Sequence, residues 1–271
     1  MTFSNWLRES TNKLNNAGIG TARLDALVLL EDVTRIDRAK LLTEPSTDLT
    51  TSQIKKLNNL LSRRVAHEPL AYIRGKKEFY GREFLITPAV LEPRPESEAM
   101  IEELTSLTDL PKNVYIADVG TGSGALGITA MLELPEARVD LIDIDAKALE
   151  VAKINVDLFT LPINTFGSDL IDSVAQSYDV MLCNLPYVPD DFQINIAATH
   201  EPKLAIYGGE DGLDLYRKLF EQLELRQNKP LYLLFESLPS QHSALQALAH
   251  SNGYEPTNIN DFILVLKRIQ K

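Results

Sequence analysis

Residues 117–127 read ADVGTGSGALG, three glycines in alternation with small polar residues. The segment ends an apolar run, Val114–Val119, and it precedes an apolar stretch of helical character, Ala125–Leu134. Gly120, Gly122 and Gly124 permit a tight turn from strand to helix and let a ligand approach the backbone where no Cβ intervenes. Thr121 and Ser123 fill the loop between them. From Gly122 the stretch also fits G-x-G-x-x-G, ending at Gly127, so a nicotinamide-cofactor enzyme is one candidate. A dinucleotide or nucleoside site needs an acid about 20 residues further on for the ribose hydroxyls, and Asp143 supplies it.

Asp118 separates the candidates. It is an acid two residues before the first glycine, where a nicotinamide fold places an apolar strand residue. A carboxylate there suits hydrogen bonds relayed from the ammonium end of S-adenosylmethionine and gives nothing to a pyrophosphate. Outward from the loop, apolar strands alternate with helical stretches. Val114–Val119, Val139–Ile142, Asp179–Cys183, Leu231–Phe235 and Phe262–Leu266 read as strands. Ala125–Leu134, Ala146–Asp157, Leu213–Leu225 and Ser240–Ser251 read as helices. This alternation predicts an α/β fold, a mostly parallel Rossmann-like sheet covered by helices, with ligands beyond the C-terminal ends of the strands. At one such end stands Asn184-Leu185-Pro186-Tyr187, an amide that both donates and accepts, followed by a proline stop. A turn leaving the sheet is the plain reading; a grip on a planar –NH2 group is the functional one.

The first 68 residues are helical in pattern. Trp6, Leu7 and Leu14 mark one segment, Leu24, Leu27, Leu29 and Leu30 a second, and Ile54, Leu57, Leu60 and Leu61 a third. Thr50 with Gln53 three residues on forms a capping-box pattern at the start of the third. A docking module and a structural cap both fit these residues. Residues 69–92 form a linker in which KEFYGREFLI predicts a β-hairpin turning at Tyr80-Gly81-Arg82. Pro93 and Pro95 then bracket Arg94 and delay helix until Glu96, opening the third region, 93–271. With 27 basic and 38 acidic residues the net charge is −11, the wrong sign for a chain that mainly grips a nucleic-acid backbone. A single cysteine, Cys183, excludes an internal disulfide and a multi-cysteine zinc site; no metal is expected and a cytoplasmic setting is. No apolar run suggests a membrane span.

DVGTGSGALGITA, the acid in LIDIDAKALEVAKIN, and Asn184-Leu185-Pro186-Tyr187 together resemble a class I S-adenosylmethionine-dependent methyltransferase. The tetrapeptide is similar to the (Asp/Asn/Ser)-Pro-Pro-(Tyr/Phe) motif of enzymes that methylate a planar nitrogen. EPLAYIRGKKEFYGREFLITPAVLEPRPESE and HEPKLAIYGGEDGLDLYRKL resemble the hairpin linker and late glycine segment of the HemK/PrmC family. That family methylates the side-chain amide of the glutamine in the Gly-Gly-Gln motif of peptide chain release factors. The resemblance implies S-adenosylmethionine as cofactor, S-adenosylhomocysteine as product, release factors as partners, and no stable nucleic-acid or membrane binding.

By the same resemblance, Gly120 to Gly124 lie along the methionine part of the cofactor and Asp143 takes the ribose hydroxyls. Leu170, in SDLID, covers the adenine ring. Asn184 and the backbone carbonyl of Leu185 accept the two N–H groups of the substrate amide, Pro186 matches the motif's proline, and Tyr187 flanks the amide plane. Leu170 as plain core and Tyr187 as a ring packed under a loop are the structural alternatives. His200, with nothing paired to it by spacing, receives no catalytic role. Leu185 departs from the family's proline: Asn-Leu-Pro-Tyr is the form associated with ribosomal RNA adenine dimethyltransferases, the main rival. A catalytically silent relative that only binds a translation factor is a third reading. FESLPSQ lacks the glycine that the family tends to place soon after the equivalent of Glu236, which counts against a role for Glu236 or Gln241.

Overall fold

A computed structural model describes residues 1–269 and divides the chain into two units. One comprises Met1–Gly75 with Asn195–His200; the other holds Lys76–Ile194 and the chain from Glu201 onward. In the first unit, helix α1 (Phe3–Asn16) starts where the Thr2 side chain accepts from the amide of Asn5, and α2 (Ala22–Thr34) follows. A short α3 (Arg38–Thr43) is capped by Asp37, and α4 (Thr51–Val65) opens on the capping box of Thr50 and Gln53 that the spacing predicts. The last helix, α5 (Leu70–Arg74), packs on α2 and α4, so the unit runs through Gly75, past the Glu68 boundary expected from the sequence.

Trp6, Leu14, Leu29, Leu30 and Leu57 form the fully buried centre of this unit. Leu24 departs from expectation: it is 49% exposed, because α2 turns Ala22, Asp25, Ala26, Leu29 and Leu30 inward instead. Asp25 is a carboxylate in that core, held by Arg64 Nε at 2.7 Å. A buried charge persists only when paired in this way.

The second unit begins with the expected hairpin. Strands β1 (Lys76–Phe79) and β2 (Arg82–Leu85) pair antiparallel. Tyr80 and Gly81 between them both have positive φ, 49° and 70°, the backbone of a two-residue turn that matches strand twist. Phe79 and Phe84 are buried edge-to-face. After the Pro-Arg-Pro bracket comes a 3₁₀ turn, Pro95–Ser97, and then α6 (Glu98–Ser106).

Beyond α6 run β3 (Tyr115–Val119), α7 (Ala125–Glu133), β4 (Arg138–Asp143), α8 (Ala146–Phe159) and β5 (Asn164–Gly167). They are followed by β6 (Val180–Cys183), α9 (Asp214–Glu224), β7 (Tyr232–Glu236), α10 (His242–Ser251), β8 (Tyr254–Asn260) and β9 (Ile263–Arg268). Among the described residues they build a seven-stranded sheet of order β5-β4-β3-β6-β7-β9-β8, parallel through β7 and antiparallel at β9 and β8. The order reverses between β3 and β6, so the chains leaving these two strands part and open a crevice at their C-terminal ends.

Edge strands β5 and β8 are absent from the sequence reading. Asn-Thr-Phe-Gly has no buried position, and β8 carries Pro256 with five exposed residues in a row. Edges bury too little to impose an apolar rhythm, and proline belongs there.

Asn155, fully buried on α8, joins three parts of the unit. Its Oδ1 accepts from Leu85 N at 2.8 Å, and its Nδ2 donates to Leu85 O at 3.0 Å and to Ser123 O at 2.8 Å. It therefore ties the hairpin to the glycine loop. Asn155→Ala leaves these backbone groups without partners and is expected to cost about 3 kcal/mol, read from urea unfolding. A loss below about 1 kcal/mol would show that the hairpin and loop hold without it.

Candidate active site

The crevice between β3 and β6 contains a cleft with about 820 Å3 of empty space, its open mouth included. Gly120 and Gly122 form one part of its wall, Asp143 and Leu170 another, and Asn184, Leu185 and Pro186 a third. The structure thus brings together the glycine loop, the acid and the Asn-Leu-Pro segment. Asp118, Thr121, Ser123, Gly124 and Tyr187 are not among the residues that line it.

The loop holds its shape through backbone acceptors. The amides of Gly120 and Thr121 both donate to Ile142 O, at 2.9 and 3.0 Å. Gly120, Gly122 and Gly124 have φ of 74°, 54° and 83°, which only glycine adopts without strain. Asp143, at the end of β4, accepts from Gly122 N through Oδ2 and from Asp145 N through Oδ1, each at 2.9 Å. Burial raises its pKa, against the pull of these amides.

Asp118 differs from expectation. Its carboxyl is fully buried, with Oδ2 accepting from Thr121 Oγ1 at 2.6 Å and from Gly127 N at 2.8 Å, while Oδ1 has no partner. It braces the loop from inside the fold and does not reach the cleft. Gly127 is required for this approach: a Cβ there would lie 2.9 Å from the Asp118 Cβ and 2.3 Å from Leu141 Cδ2. Burial pushes the Asp118 pKa up to about 6. Leu170 is 7% exposed and packs into the core while also facing the cleft, so both of its readings hold in part. Its φ of 54° is a left-handed conformation that costs a leucine about 1 kcal/mol.

At the end of β6, Asn184 Nδ2 donates to Ser97 Oγ at 3.0 Å. The Tyr187 hydroxyl donates to Glu236 Oε1 at 3.1 Å. Burial raises the pKa of this phenol and of the Glu236 carboxyl alike. Gln241 Nε2 donates to Tyr187 O and to Asp211 O, both at 2.8 Å, while Gln241 Oε1 accepts from Leu238 N. The late glycine segment lies directly on this turn. A Cβ on Gly208 would sit 2.2 Å from Pro186 O, and one on Gly212 would sit 2.1 Å from Tyr187 O.

Ser97, Glu236 and Gln241 are therefore site residues that the sequence reading passed over or set aside. Their signal lay in PESE and FESLPSQ, but only the pairing of β6 with β7 shows that Glu236 follows Phe235, the partner of Cys183. Arg94 has a partner too. Its Nη2 lies 2.5 Å from Glu201 Oε2, whose side chain is 1% exposed, and the neighbouring Pro202 lines the cleft. His200 is exposed in the helical unit.

Asp118 gives a pH test. An acid whose folded pKa is raised keeps its full stability contribution below the unfolded pKa and loses it as pH rises through the folded value. The window runs from 3.8 to about 6, and the loss across it is about 3 kcal/mol. Asp118→Asn cannot ionise, so its stability relative to the parent should climb between pH 4 and pH 7. A difference in unfolding free energy that stays flat over that range would show that Asp118 does not titrate there.

Comparison with known proteins agrees with this arrangement. Residues 5–75 match the family described as PrmC N-terminal domain, and residues 95–201 match the Methyltransferase small domain. A release factor glutamine methyltransferase of Neisseria gonorrhoeae is 34% identical over 274 residues, covering 99% of this chain and 96% of the relative. One from Koribacter versatilis is 35% identical over 229 residues, covering 82% and 81%. Among solved structures, a methyltransferase from Pyrococcus furiosus shares the fold with a TM-score of 0.54 at 16% identity, covering 82% of this chain and 100% of that one. The 16S rRNA N2 G1207 methyltransferase RsmC of T. thermophilus has a TM-score of 0.52 at 15% identity, with 72% of this chain and 50% of that chain covered. The sheet is accordingly that of an S-adenosylmethionine-dependent methyltransferase, and the chain belongs to the release factor glutamine methyltransferase family.

Proposed function

We propose that this enzyme methylates the side-chain amide nitrogen of the glutamine in the Gly-Gly-Gln motif of peptide chain release factors. The observation that carries the reading is Asn184. Its nitrogen end is engaged by Ser97, so its oxygen is the end left for a ligand in the cleft. An acceptor in that place suits an amide –NH2, which arrives with two donors. The Leu185 carbonyl is the second acceptor in this reading.

The cleft also fits the cofactor. Asp143 offers a carboxylate at the wall, Leu170 an apolar face, and the left-handed glycines a backbone with no side chain in the way. Bound there, S-adenosylmethionine supplies a methyl group on a positively charged sulfur. The chain's own part is to hold and orient. An amide nitrogen is a poor nucleophile because its lone pair is delocalised, and two acceptors gripping its hydrogens fix its direction and raise its electron density. Such positioning supplies several kcal/mol. No general base is required before transfer, since the proton leaves after the nitrogen has become cationic.

The helical unit serves as the docking module in this reading. Phe3, Leu7 and Leu27 form the apolar floor of a groove on it, with Arg8 and Arg23 also in its wall. The partner places the enzyme with the translation apparatus in the cytoplasm, and the net charge of −11 argues against nucleic acid as a stable partner. Among the described residues, no helix is long and apolar enough to cross a membrane.

Asn184→Ala should lower the transfer rate roughly tenfold to a hundredfold, or about 1.4–2.7 kcal/mol of barrier, with a smaller change in cofactor affinity measured by calorimetry. Unchanged transfer would remove Asn184 from the acceptor role. A release factor carrying glutamate in place of the motif glutamine should receive no methyl group, and labelling at that residue would contradict the amide reading. Leu42, 47% exposed in the groove, tests the docking module. Leu42→Asp should raise the KM for release factor about fivefold or more at unchanged cofactor affinity, and an unaltered KM would return the helical unit to a purely structural part.

A further inference from the structure

The Asn184 side chain has two ends of similar shape and opposite chemistry, and something must decide which end faces the cleft. Cys183 pairs with Phe235 across the parallel strands β6 and β7, so Asn184 and Glu236 leave adjacent strands side by side. Glu236 is 1% exposed. Its Oε1 accepts from the Tyr187 hydroxyl, and its Oε2 is buried without a hydrogen-bond partner. Ser97, 2% exposed, lies at the same point with its Oγ accepting from Asn184 Nδ2. A hydroxyl that accepts there has its own hydrogen free for another acceptor. Burial raises the Glu236 pKa, and Ser97, Tyr187 and Asn184 each draw it back down.

We propose that Glu236 is a positioning residue that sets the direction of the Asn184 amide, directly and through Ser97, so that the oxygen faces the cleft. A carboxylate accepts and never donates, so each group turned toward it must present a hydrogen. Ser97 then donates to Glu236 and accepts from Asn184 Nδ2. The nitrogen end of Asn184 is thereby bound on the protein side. Tyr187, anchored to the same carboxylate, fixes the turn that carries the Leu185 carbonyl. Without an acceptor at position 236, Ser97 is free to donate to Asn184 Oδ1. The amide then reverses and confronts an incoming –NH2 with a second –NH2.

The proposal rests on the reading of Asn184 as the substrate-amide acceptor, and the test separates the two. The measurement is kcat and KM for release factor, cofactor affinity and thermal unfolding for Glu236→Gln, Asn184→Ala and the double variant. Glutamine keeps the shape but exchanges one acceptor oxygen for a donating –NH2. With the Tyr187 hydroxyl on the remaining oxygen, Ser97 loses its acceptor, so Glu236→Gln should lose roughly tenfold or more in kcat, with cofactor affinity nearly unchanged. In the Asn184→Ala background the same change should cost less than about threefold, because Glu236 acts through the amide already removed. Ser97→Ala, which cuts the relay with a smaller disturbance of the core, should show the same loss and the same lack of additivity. Full kcat in Glu236→Gln or in Ser97→Ala, or a loss that persists undiminished in the Asn184→Ala background, overturns the proposal. An Asn184→Ala enzyme at the parent rate overturns the acceptor reading itself, and this proposal with it.

Discussion

The parallel pairing of β3 with β6 is the constraint on which the rest of the large unit depends. Ile116 to Val119 align with Val180 to Cys183, and both strands end in the same plane. The chain has by then run outward through β4 and β5 and returned across β3, so the connections from the two strands diverge. A glycine loop leaves one strand and Asn-Leu-Pro-Tyr leaves the other. The cleft glycines, Asn184 and Leu185 hang on these two exits, Asp143 ends β4 beside them, and Leu170 follows β5.

Each exit is held by a buried carboxylate next to it. Asp118 draws Thr121 and Gly127 inward and gives the glycine loop its curvature. Glu236 takes the Tyr187 hydroxyl on the other side. Both acids are raised in pKa by burial, and both keep one oxygen without a hydrogen-bond partner. Unpaired buried oxygens cost stability. Here they accompany backbone that is itself uncommon, with left-handed glycines and a left-handed Leu170. Cost of this kind gathers where a site must be held in one shape.

Much of the fold was legible in the sequence because burial leaves a rhythm. The five strands read from the sequence, the capping box at Thr50 and the hairpin at Tyr80-Gly81 all rest on apolar periodicity or turn chemistry. Edge strands β5 and β8 were not legible, since little of either is buried. Gly120, Gly122 and Asp143 could be placed at one cleft from motif spacing and Asn184 from its strand end, while Leu170 was reached only through the family resemblance. The depth of Asp118 could not, because a carboxylate facing a ligand and one facing the core look alike in one dimension. Ser97, Glu236 and Gln241 are separated from Asn184 by long stretches of chain. The register of the sheet brings Glu236 beside it, while the turns before α6 and α10 bring Ser97 to Asn184 and Gln241 to the Tyr187 carbonyl.

In the proposed reaction the Asn184 oxygen and the Leu185 carbonyl receive a glutamine amide of a release factor. The direct measurement is incubation with labelled S-adenosylmethionine and separate acceptors, namely release factor, ribosomal protein, ribosomal RNA and DNA, followed by mapping of the label. Label confined to the glutamine of Gly-Gly-Gln in the release factor is the predicted result. Label on adenine in RNA, or none on the release factor, would contradict it.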